Sequence, residues 1–361
     1  MLPLVIRMHI RPCGERLPLL MHRSTGLPHH TTALYVLTQC RARRPNTIHQ
    51  QLVGVQALLL WCAEAGISLE SRVASGTLLS PAELDGLVAA ASFRLPERFS
   101  GRDTSARVVQ IKKRSAALSR QTAANRVRAI RQFLVWLTQQ RLLELSDRPS
   151  AQAAYAVARD AFLASVATRT PGSNWADDEP REGLEEEERL ALTDLVDPQS
   201  SKNPWSSHSV RFRNHLIIQL LLDLGLRRGE LLALRVEDVD LRRERLNIVA
   251  RPDDPRDPRA RQPVLKTEER VLALPKKSAE LLAAYVLEMR PVCGAARKHG
   301  YLFVSTAAGS PLSVSSVEKL FRVVRKAAGL PSDFSCHVLR HDWNERFWPT
   351  STTGTMASMA S

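Results

Sequence analysis

The spacing of apolar residues constrains the fold of this chain more than any other feature. Over residues 46–65 they stand alternately three and four positions apart, the spacing that places side chains on one face of an α-helix. Residues 80–88 and 121–139 carry the same pattern, the former with a serine, a proline and a glutamate in the positions of a helix cap. The first half of the chain is therefore predicted to be helical. The apolar positions are Ile48, Leu52, Val55, Leu59 and Cys62, then Leu84, Leu87 and Val88, then Val127, Ile130, Leu134 and Leu137.

The second half combines helices with a small sheet. Residues 216–224 are almost entirely apolar and end at Gly225, as expected of a buried helix. Residues 245–250 and 270–274 are strand-like runs separated by a proline- and aspartate-rich stretch, which predicts two antiparallel strands. Further helices are expected over 184–196, 278–288 and 315–328. The predicted fold class is mainly α with a small antiparallel sheet.

A length of 361 residues allows two domains. Residues 169–183 combine proline, glycine and acidic residues without periodicity, so they are predicted to link a helical domain over 46–168 to a second domain over 184–347. Residues 1–45 are predicted to be a poorly defined leader. Residues 348–361 contain no charged residue in a chain that is 24% charged, and they are predicted to be an aberrant tail.

The charge of the chain favours a polyanionic partner. The formal net charge is +14, and only 9 of the 51 basic residues are lysines, so arginine supplies most of the positive charge. A guanidinium group can bind two phosphate oxygens at once, and a content of 44% hydrophobic residues indicates folded domains. Double-stranded DNA is the predicted partner, and an ordinary solvated basic surface is the alternative.

One helix supplies candidate DNA contacts. The helix predicted over 121–139 carries arginines outside its apolar face, and further basic residues precede it. Either these residues form an ordinary solvated face, or the helix lies against the DNA backbone and its cations replace condensed counterions. The candidates are Lys112, Lys113, Arg120, Arg126, Arg128 and Arg131.

The cysteines and the apolar runs exclude several classes of protein. The five cysteines are irregularly spaced, which indicates neither a disulfide framework nor a zinc site. The longest apolar run, which starts at Leu216, is too short to span a bilayer. Arg7 and Arg11 interrupt the only stretch that resembles a signal sequence. The sequence predicts a cytoplasmic protein of a bacterial-type cell, associated with the nucleoid and with no membrane partner.

Three motifs in the second half carry residues suited to a phosphate. "GLRRGELLALRVEDVDL" places Arg227 at the start of a helix, where Glu230 can orient it, although arginines between helices are more often structural ion-pair partners. Lys266 precedes a strand in "LKTEERVLALP", a position where lysine is usually only a solubilising charge. In "HVLRH", His337 and Arg340 are three residues apart and share one face if the segment is helical.

These motifs, with "YLFVS" and the following "PLS", resemble the tyrosine recombinase (phage integrase) family in order and approximate spacing. The resemblance covers about residues 184–347, and residues 46–140 resemble the helical, SAM-like core-binding domain that precedes the catalytic domain in this family. It implies site-specific recombination or integration of the DNA of a mobile element. It also implies a helical DNA-binding domain followed by an α+β catalytic domain, and chemistry without a metal or cofactor.

The resemblance further implies a role for each candidate. Arg227 and Arg340 would stabilise the charge that develops on the non-bridging phosphate oxygens. Lys266 would be the general acid that protonates the leaving 5'-oxygen, and His337 would assist proton transfer at the nucleophile. That nucleophile is a tyrosine, which becomes linked to the 3'-phosphate and leaves a free 5'-hydroxyl.

The chain departs from the family at this tyrosine. All four tyrosines precede His337, whereas the nucleophile of the family follows the histidine. We therefore expect an incomplete catalytic domain, defective in cleavage, with a tail that arose by a frameshift or a premature end of the gene. The chain would bind DNA as a homo-oligomer or beside an intact recombinase. The alternative is a non-enzymatic DNA-binding remnant or an unstable pseudogene product.

Overall fold

The structure is a computed structural model that describes residues 3–95, 117–172, 183–265 and 267–347. Several predictions fall outside these ranges, namely those for Lys112, Lys113, Lys266, most of the linker and the tail. The chain divides into two compact units. The first comprises Met1–Arg11 and Arg16–Asp177, and the second comprises Pro12–Glu15 and Asp178–Ser361.

The first unit begins with a β-hairpin where the sequence predicted a poorly defined leader. Strands β1 (Leu4–Ile10) and β2 (Arg16–His22) are antiparallel, in a register that runs from Leu4 opposite His22 to Ile10 opposite Arg16. Leu17 and Leu20 on β2 are buried in the core of the unit. The hairpin was not predicted because residues 17–21 of β2 are continuously apolar and lack the alternation typical of a half-buried strand.

Six α-helices follow in the described residues of the first unit, and α2 and α5 form its centre. They are α1 (His30–Tyr35), continued by a π-helical turn (Val36–Cys40), α2 (Pro45–Glu64), α3 (Leu69–Ser75), α4 (Pro81–Ala91), α5 (Arg120–Glu144) and α6 (Pro149–Thr168). The predicted capping box starts α4, with Glu83 Oε2 accepting from the Ser80 N–H at 2.7 Å. Gly54 allows α2 and α5 to cross closely, because an added Cβ would lie 2.7 Å from the Cβ of Ala129.

The described residues contain no single helix with the length and apolarity to cross a membrane. Only α2 and α3 together pass that test, as a pair bent by 89°.

In the described residues the second unit comprises six α-helices and a three-stranded sheet. The helices are α7 (Glu186–Val196), α8 (His208–Leu224), α9 (Arg228–Ala233), α10 (Lys276–Ala284), α11 (Val314–Ala328) and α12 (Cys336–Phe347). The strands are β3 (Val239–Asp240), β4 (Arg245–Ile248) and β5 (Arg270–Ala273), antiparallel in the order β3-β4-β5. The buried face of α8 is the centre of the core, as its apolar sequence predicted. The predicted fold class, mainly α with a small antiparallel sheet, is confirmed.

Candidate phosphate-binding site

Arg227 lies at the junction between α8 and α9. Gly225 ends α8 with a φ of +55°, a left-handed conformation that favours glycine. The backbone N–H of Arg227 donates to Oε2 of Glu230 at 3.0 Å, so this N–H is occupied by a protein carboxylate and not open to a bound anion. The guanidinium of Arg227 is 33% exposed and is the part of the residue that can meet a ligand.

A buried carboxylate joins Arg227 to the sheet. The side chain of Glu230 has no exposed surface. Arg270 donates to its two oxygens at 2.8 and 3.1 Å, and the Thr267 hydroxyl donates to Oε1 at 2.6 Å. The guanidinium of Arg227 is farther away, with Nη1 3.5 Å from Oε1. Glu230 thereby fixes the start of α9 to the start of β5.

The neighbours of Glu230 keep it ionised. Burial raises the pKa of its carboxyl, but hydrogen bonds from Arg270, Thr267 and the Arg227 N–H outweigh burial and lower the pKa to about 2. The carboxylate is therefore negatively charged throughout the neutral range.

Arg340 reaches the same junction from α12. The helix contains both His337 and Arg340, as their spacing predicted. Nη1 of Arg340 donates to the carbonyl oxygen of Gly225. Burial lowers the pKa of Arg340, and the positive charge of Arg227 lowers it further. The two arginines predicted from separate motifs thus lie within electrostatic reach of each other. We call Arg227, Glu230, Thr267, Arg270 and Arg340 the Glu230 cluster.

Three donors on α12 attach it to the C-terminal end of α8. The last carbonyl groups of a helix have no hydrogen-bond partner within the helix itself. At the end of α8, side chains of α12 donate to them. The donors are Arg340, Trp343 and Arg346, and they bond the carbonyl oxygens of Gly225, Asp223 and Leu222 respectively. A second attachment is the ion pair between the buried Asp342 and Arg189 of α7, at 2.7 Å.

His337 is exposed at the start of α12 and lines a cleft of about 260 Å³. Arg228 lies on the same cleft and pairs with Glu318 of α11 at 2.9 Å, which separates its role from that of Arg227. The remaining lining residues are Val317, Phe321, Arg322, Arg325, Ser335 and Cys336. Lys266 is outside the described residues, and its neighbour Thr267 is held by Glu230.

The basic residues predicted on α5 have different environments. Arg126 is buried and donates to the carbonyl oxygens of Ala91 and Phe93 at 3.0 and 2.6 Å, so it closes the C-terminal end of α4. Arg120 and Arg131 are exposed, and Arg128 is half-buried. Those three remain candidates for contact with DNA.

Residues 184–348 match the family model described as the phage integrase family. This segment of the chain is a phage integrase family domain. Among curated proteins it is similar to transposase A from transposon Tn554 of Staphylococcus aureus, with 32% identity over 133 residues that cover 36% of this chain and 34% of that protein. It is also similar to tyrosine recombinase XerC of Proteus mirabilis, with 25% identity over 66% of this chain and 62% of that protein. The chain thus spans about a third of the first relative and less than two thirds of the second.

Solved structures give two further comparisons. The Tn1549 transposon integrase in complex with circular intermediate DNA has a TM-score of 0.42 and 18% identity, over 63% of this chain and 66% of that one. The XerH site-specific recombinase bound to difH substrate has a TM-score of 0.37 and 16% identity, over 74% of this chain and 73% of that one. The family assignment rests on the family model and the sequence relatives.

All four tyrosines of the chain are buried. Their exposed fractions are 2% for Tyr35, 6% for Tyr155, 2% for Tyr285 and 4% for Tyr301. Burial raises the pKa of each phenol, to about 12 in Tyr285. A hydroxyl in such a position cannot approach a DNA phosphate without a rearrangement of the core.

Tyr301 has a structural role in the integrase domain. Its ring lies between two guanidiniums, 5.1 Å from that of Arg235 and 4.4 Å from that of Arg259. Its hydroxyl donates to Asp254 at 3.2 Å. Asp254 also pairs with Arg235, and Asp257 pairs with Arg259 at 2.9 Å. We call these five residues the Tyr301 cluster. They attach the loop between β4 and β5 to the body of the unit.

Sequence analysis missed two members of the Glu230 cluster, Thr267 and Arg270. It did identify Glu230 as a residue that could orient an arginine, and the structure shows that Glu230 contacts Arg227. No local pattern signals the other contacts, because Arg270 lies 40 positions from Glu230 along the chain.

Proposed function

We propose that this chain takes part in site-specific recombination of double-stranded DNA by the tyrosine recombinase mechanism. The observation that carries the proposal is the convergence of Arg227 and Arg340, from two separate helices, at the junction that follows α8. Two adjacent guanidiniums suit the two non-bridging oxygens of a phosphodiester, and they stabilise the charge that develops there in the transition state.

The other candidates complete the proposed reaction. Lys266 protonates the leaving 5'-oxygen. His337, exposed beside the cleft, assists proton transfer at the attacking hydroxyl. The exposed arginines of α5 bind the DNA backbone outside the reacting phosphate. The names of the relatives, a transposase and a tyrosine recombinase, favour the DNA of a mobile element as the substrate, within the nucleoid of a bacterial cell.

We also propose that this polypeptide of 361 residues does not cleave DNA by itself. Covalent attack needs a nucleophile held in line with the phosphate, and every tyrosine in the chain is buried. The attacking tyrosine would then come from an intact recombinase bound beside this chain on the same DNA. The buried tyrosines equally favour a second candidate function, in which the chain occupies recombination sites, alone or as a homo-oligomer, without chemistry.

DNA binding is tested by fluorescence anisotropy with a labelled duplex at increasing salt. Counterion release gives a slope of about −0.9 per phosphate contact in a plot of log affinity against log salt, so several contacts give roughly −4 or steeper. An affinity that does not change with salt would remove DNA as the partner. A thermal melt of the same sample shows whether the chain unfolds cooperatively, which an unstable pseudogene product would not do.

Cleavage is tested with a duplex nicked beside the cleavage point of an intact relative, so that any covalent complex is trapped and shifts on a denaturing gel. We expect no shifted band with this chain alone. A band that forms only when the relative is added, and disappears with Arg340→Ala in this chain, would support chemistry with a tyrosine from the partner. A band with this chain alone that is lost on Tyr301→Phe would contradict the proposal.

A further inference from the structure

The oxygens of Glu230 are unequally shared between two arginines. Arg270 binds both of them, at 2.8 and 3.1 Å, in the paired geometry that guanidinium and carboxylate groups prefer. The guanidinium of Arg227 has a single contact with the same carboxylate, at 3.5 Å. Arg270 is therefore the principal cationic partner of Glu230, and Arg227 is a minor one.

The Glu230 side chain is fully buried, so its negative charge needs a cationic partner. A buried carboxylate without a cation pays a large desolvation penalty, and it takes the nearest available guanidinium as its partner. If Arg270 were absent, that guanidinium would be Arg227, which already reaches the carboxylate and has its backbone N–H bonded to it. The side chain of Arg227 would then turn inward, away from the surface on which it is 33% exposed.

We infer that Arg270 is a positioning residue that occupies Glu230 and so leaves the guanidinium of Arg227 available for a DNA phosphate. Arg270 acts through Glu230 and does not itself touch the phosphate. Thr267 assists, because its hydroxyl occupies Oε1, the oxygen that Arg227 approaches. This inference rests on the proposed function, since it assumes that Arg227 binds the phosphate.

The inference predicts that a second substitution, at Glu230, reverses the loss of DNA affinity caused by a first substitution at Arg270. Arg270→Met keeps the apolar stem of the side chain and removes its charge, so Glu230 should bind Arg227 instead. Adding Glu230→Gln removes the charge that attracts Arg227, and DNA binding should return. A residue that contacts the phosphate directly would not be rescued in this way.

The experiment measures the affinity for a labelled duplex, and its salt dependence, for the full chain and its variants. We expect Arg227→Ala to weaken binding roughly tenfold, the usual size of one charge-assisted contact, and to reduce the salt slope by about 0.9. Arg270→Met should produce the same two changes, and Glu230→Gln/Arg270→Met should bind within about twofold of the unchanged chain.

Two control variants separate this effect from a change of net charge. Asp240→Asn/Arg270→Met has the same net charge as the rescued double variant but leaves Glu230 intact, so it should stay as weak as Arg270→Met. Arg243→Ala removes one charge from a side chain that is 75% exposed, and it should change the affinity less than twofold. Rescue by Asp240→Asn would show that only net charge matters and would overturn the inference.

The remaining outcomes are equally decisive. If Arg227→Ala binds like the unchanged chain, the proposed phosphate site is wrong and the inference falls with it. If Arg227→Ala binds DNA weakly but Arg270→Met binds it normally, only the inference is wrong. The same holds if Glu230→Gln does not restore the affinity of Arg270→Met. Should Arg270→Met lack a cooperative melt, Arg270→Gln, which also removes the charge, replaces it with and without Glu230→Gln, and the same ranking is expected. A crystal structure of the single variant should show Arg227 bonded to both oxygens of Glu230.

Discussion

The Tyr301 cluster and the Glu230 cluster are built from the same kinds of residue but differ in charge balance. In the Tyr301 cluster two guanidiniums face two carboxylates, and the aromatic ring lies between them. In the Glu230 cluster three guanidiniums lie near one carboxylate, which contacts two of them. Balanced charges pair with one another within the fold and stabilise it. Like charges repel one another, so the excess of cations in the Glu230 cluster favours the binding of an anion and supports the proposed phosphate site.

The largest expected effect on stability belongs to the balanced cluster. Tyr301→Ala removes a buried ring and leaves both guanidiniums without their stacking partner, so the free energy of unfolding should fall by roughly 3–5 kcal/mol. Urea denaturation measures this loss. In conditions where the variant is still folded, the salt slope of DNA binding should not change. A reduced slope would show that the Tyr301 cluster also contacts DNA, and the comparison would fail.

The next effect is the pH dependence that Glu230 confers. Its pKa falls from an ordinary 4.5 to about 2 in the folded chain. Because the folded pKa is depressed, the stabilisation is fully present above about pH 4.5 and is lost as the pH falls toward 2. The shift corresponds to about 3 kcal/mol in total, of which about 2 kcal/mol disappears between about pH 6 and about pH 3.

Urea denaturation at these two pH values, with and without Glu230→Gln, isolates the contribution of this carboxyl. The variant should be less sensitive to acid by about 2 kcal/mol. An identical loss of stability in both proteins would mean that the carboxylate titrates at its ordinary pKa, and that the cluster does not hold it in the charged form.

Arg340→Ala should separate binding from stability. The affinity for duplex DNA should fall about tenfold, and the salt slope should decrease by about 0.9. The free energy of unfolding should fall by only about 1 kcal/mol, for the hydrogen bond to the Gly225 carbonyl. A large loss of stability with an unchanged salt slope would place Arg340 with the structural arginines of the Tyr301 cluster.

The smallest effect is expected at Arg228, the neighbour of Arg227 in the sequence. Its ion pair with Glu318 joins two side chains that are 41% and 53% exposed. Such a pair contributes little, so Arg228→Ala should change the free energy of unfolding by less than about 0.5 kcal/mol. A thermal melt of this variant beside Arg227→Ala tests whether adjacent arginines have different roles, and a larger loss in Arg228→Ala would contradict their separation.

Local signals in the sequence were sufficient for the helices and for part of the site. The apolar spacing of α2, the capping box of α4 and the glycine after α8 each depend on residues within a few positions, and all appear in the structure. The motifs around Arg227 and Arg340 also identified two residues that the fold brings together.

Contacts between distant residues were not predictable in this way. The bond from Arg270 to Glu230 and the placement of Tyr301 between two arginines depend on how strands and helices pack. The N-terminal hairpin was missed for a different reason, since residues 17–21 lack the alternation of apolar and polar residues that identifies a half-buried strand.

The attachment of α12 to the end of α8 determines when during synthesis the proposed site can form. Arg340 is positioned by the hydrogen bonds between α12 side chains and the last carbonyl groups of α8. In the described chain, α12 is the last helix to be synthesised. A nascent chain that has already folded its first helical unit therefore lacks the second guanidinium. The candidate DNA contacts on α5 are synthesised before the paired guanidiniums, which form only after α12 has packed against α8.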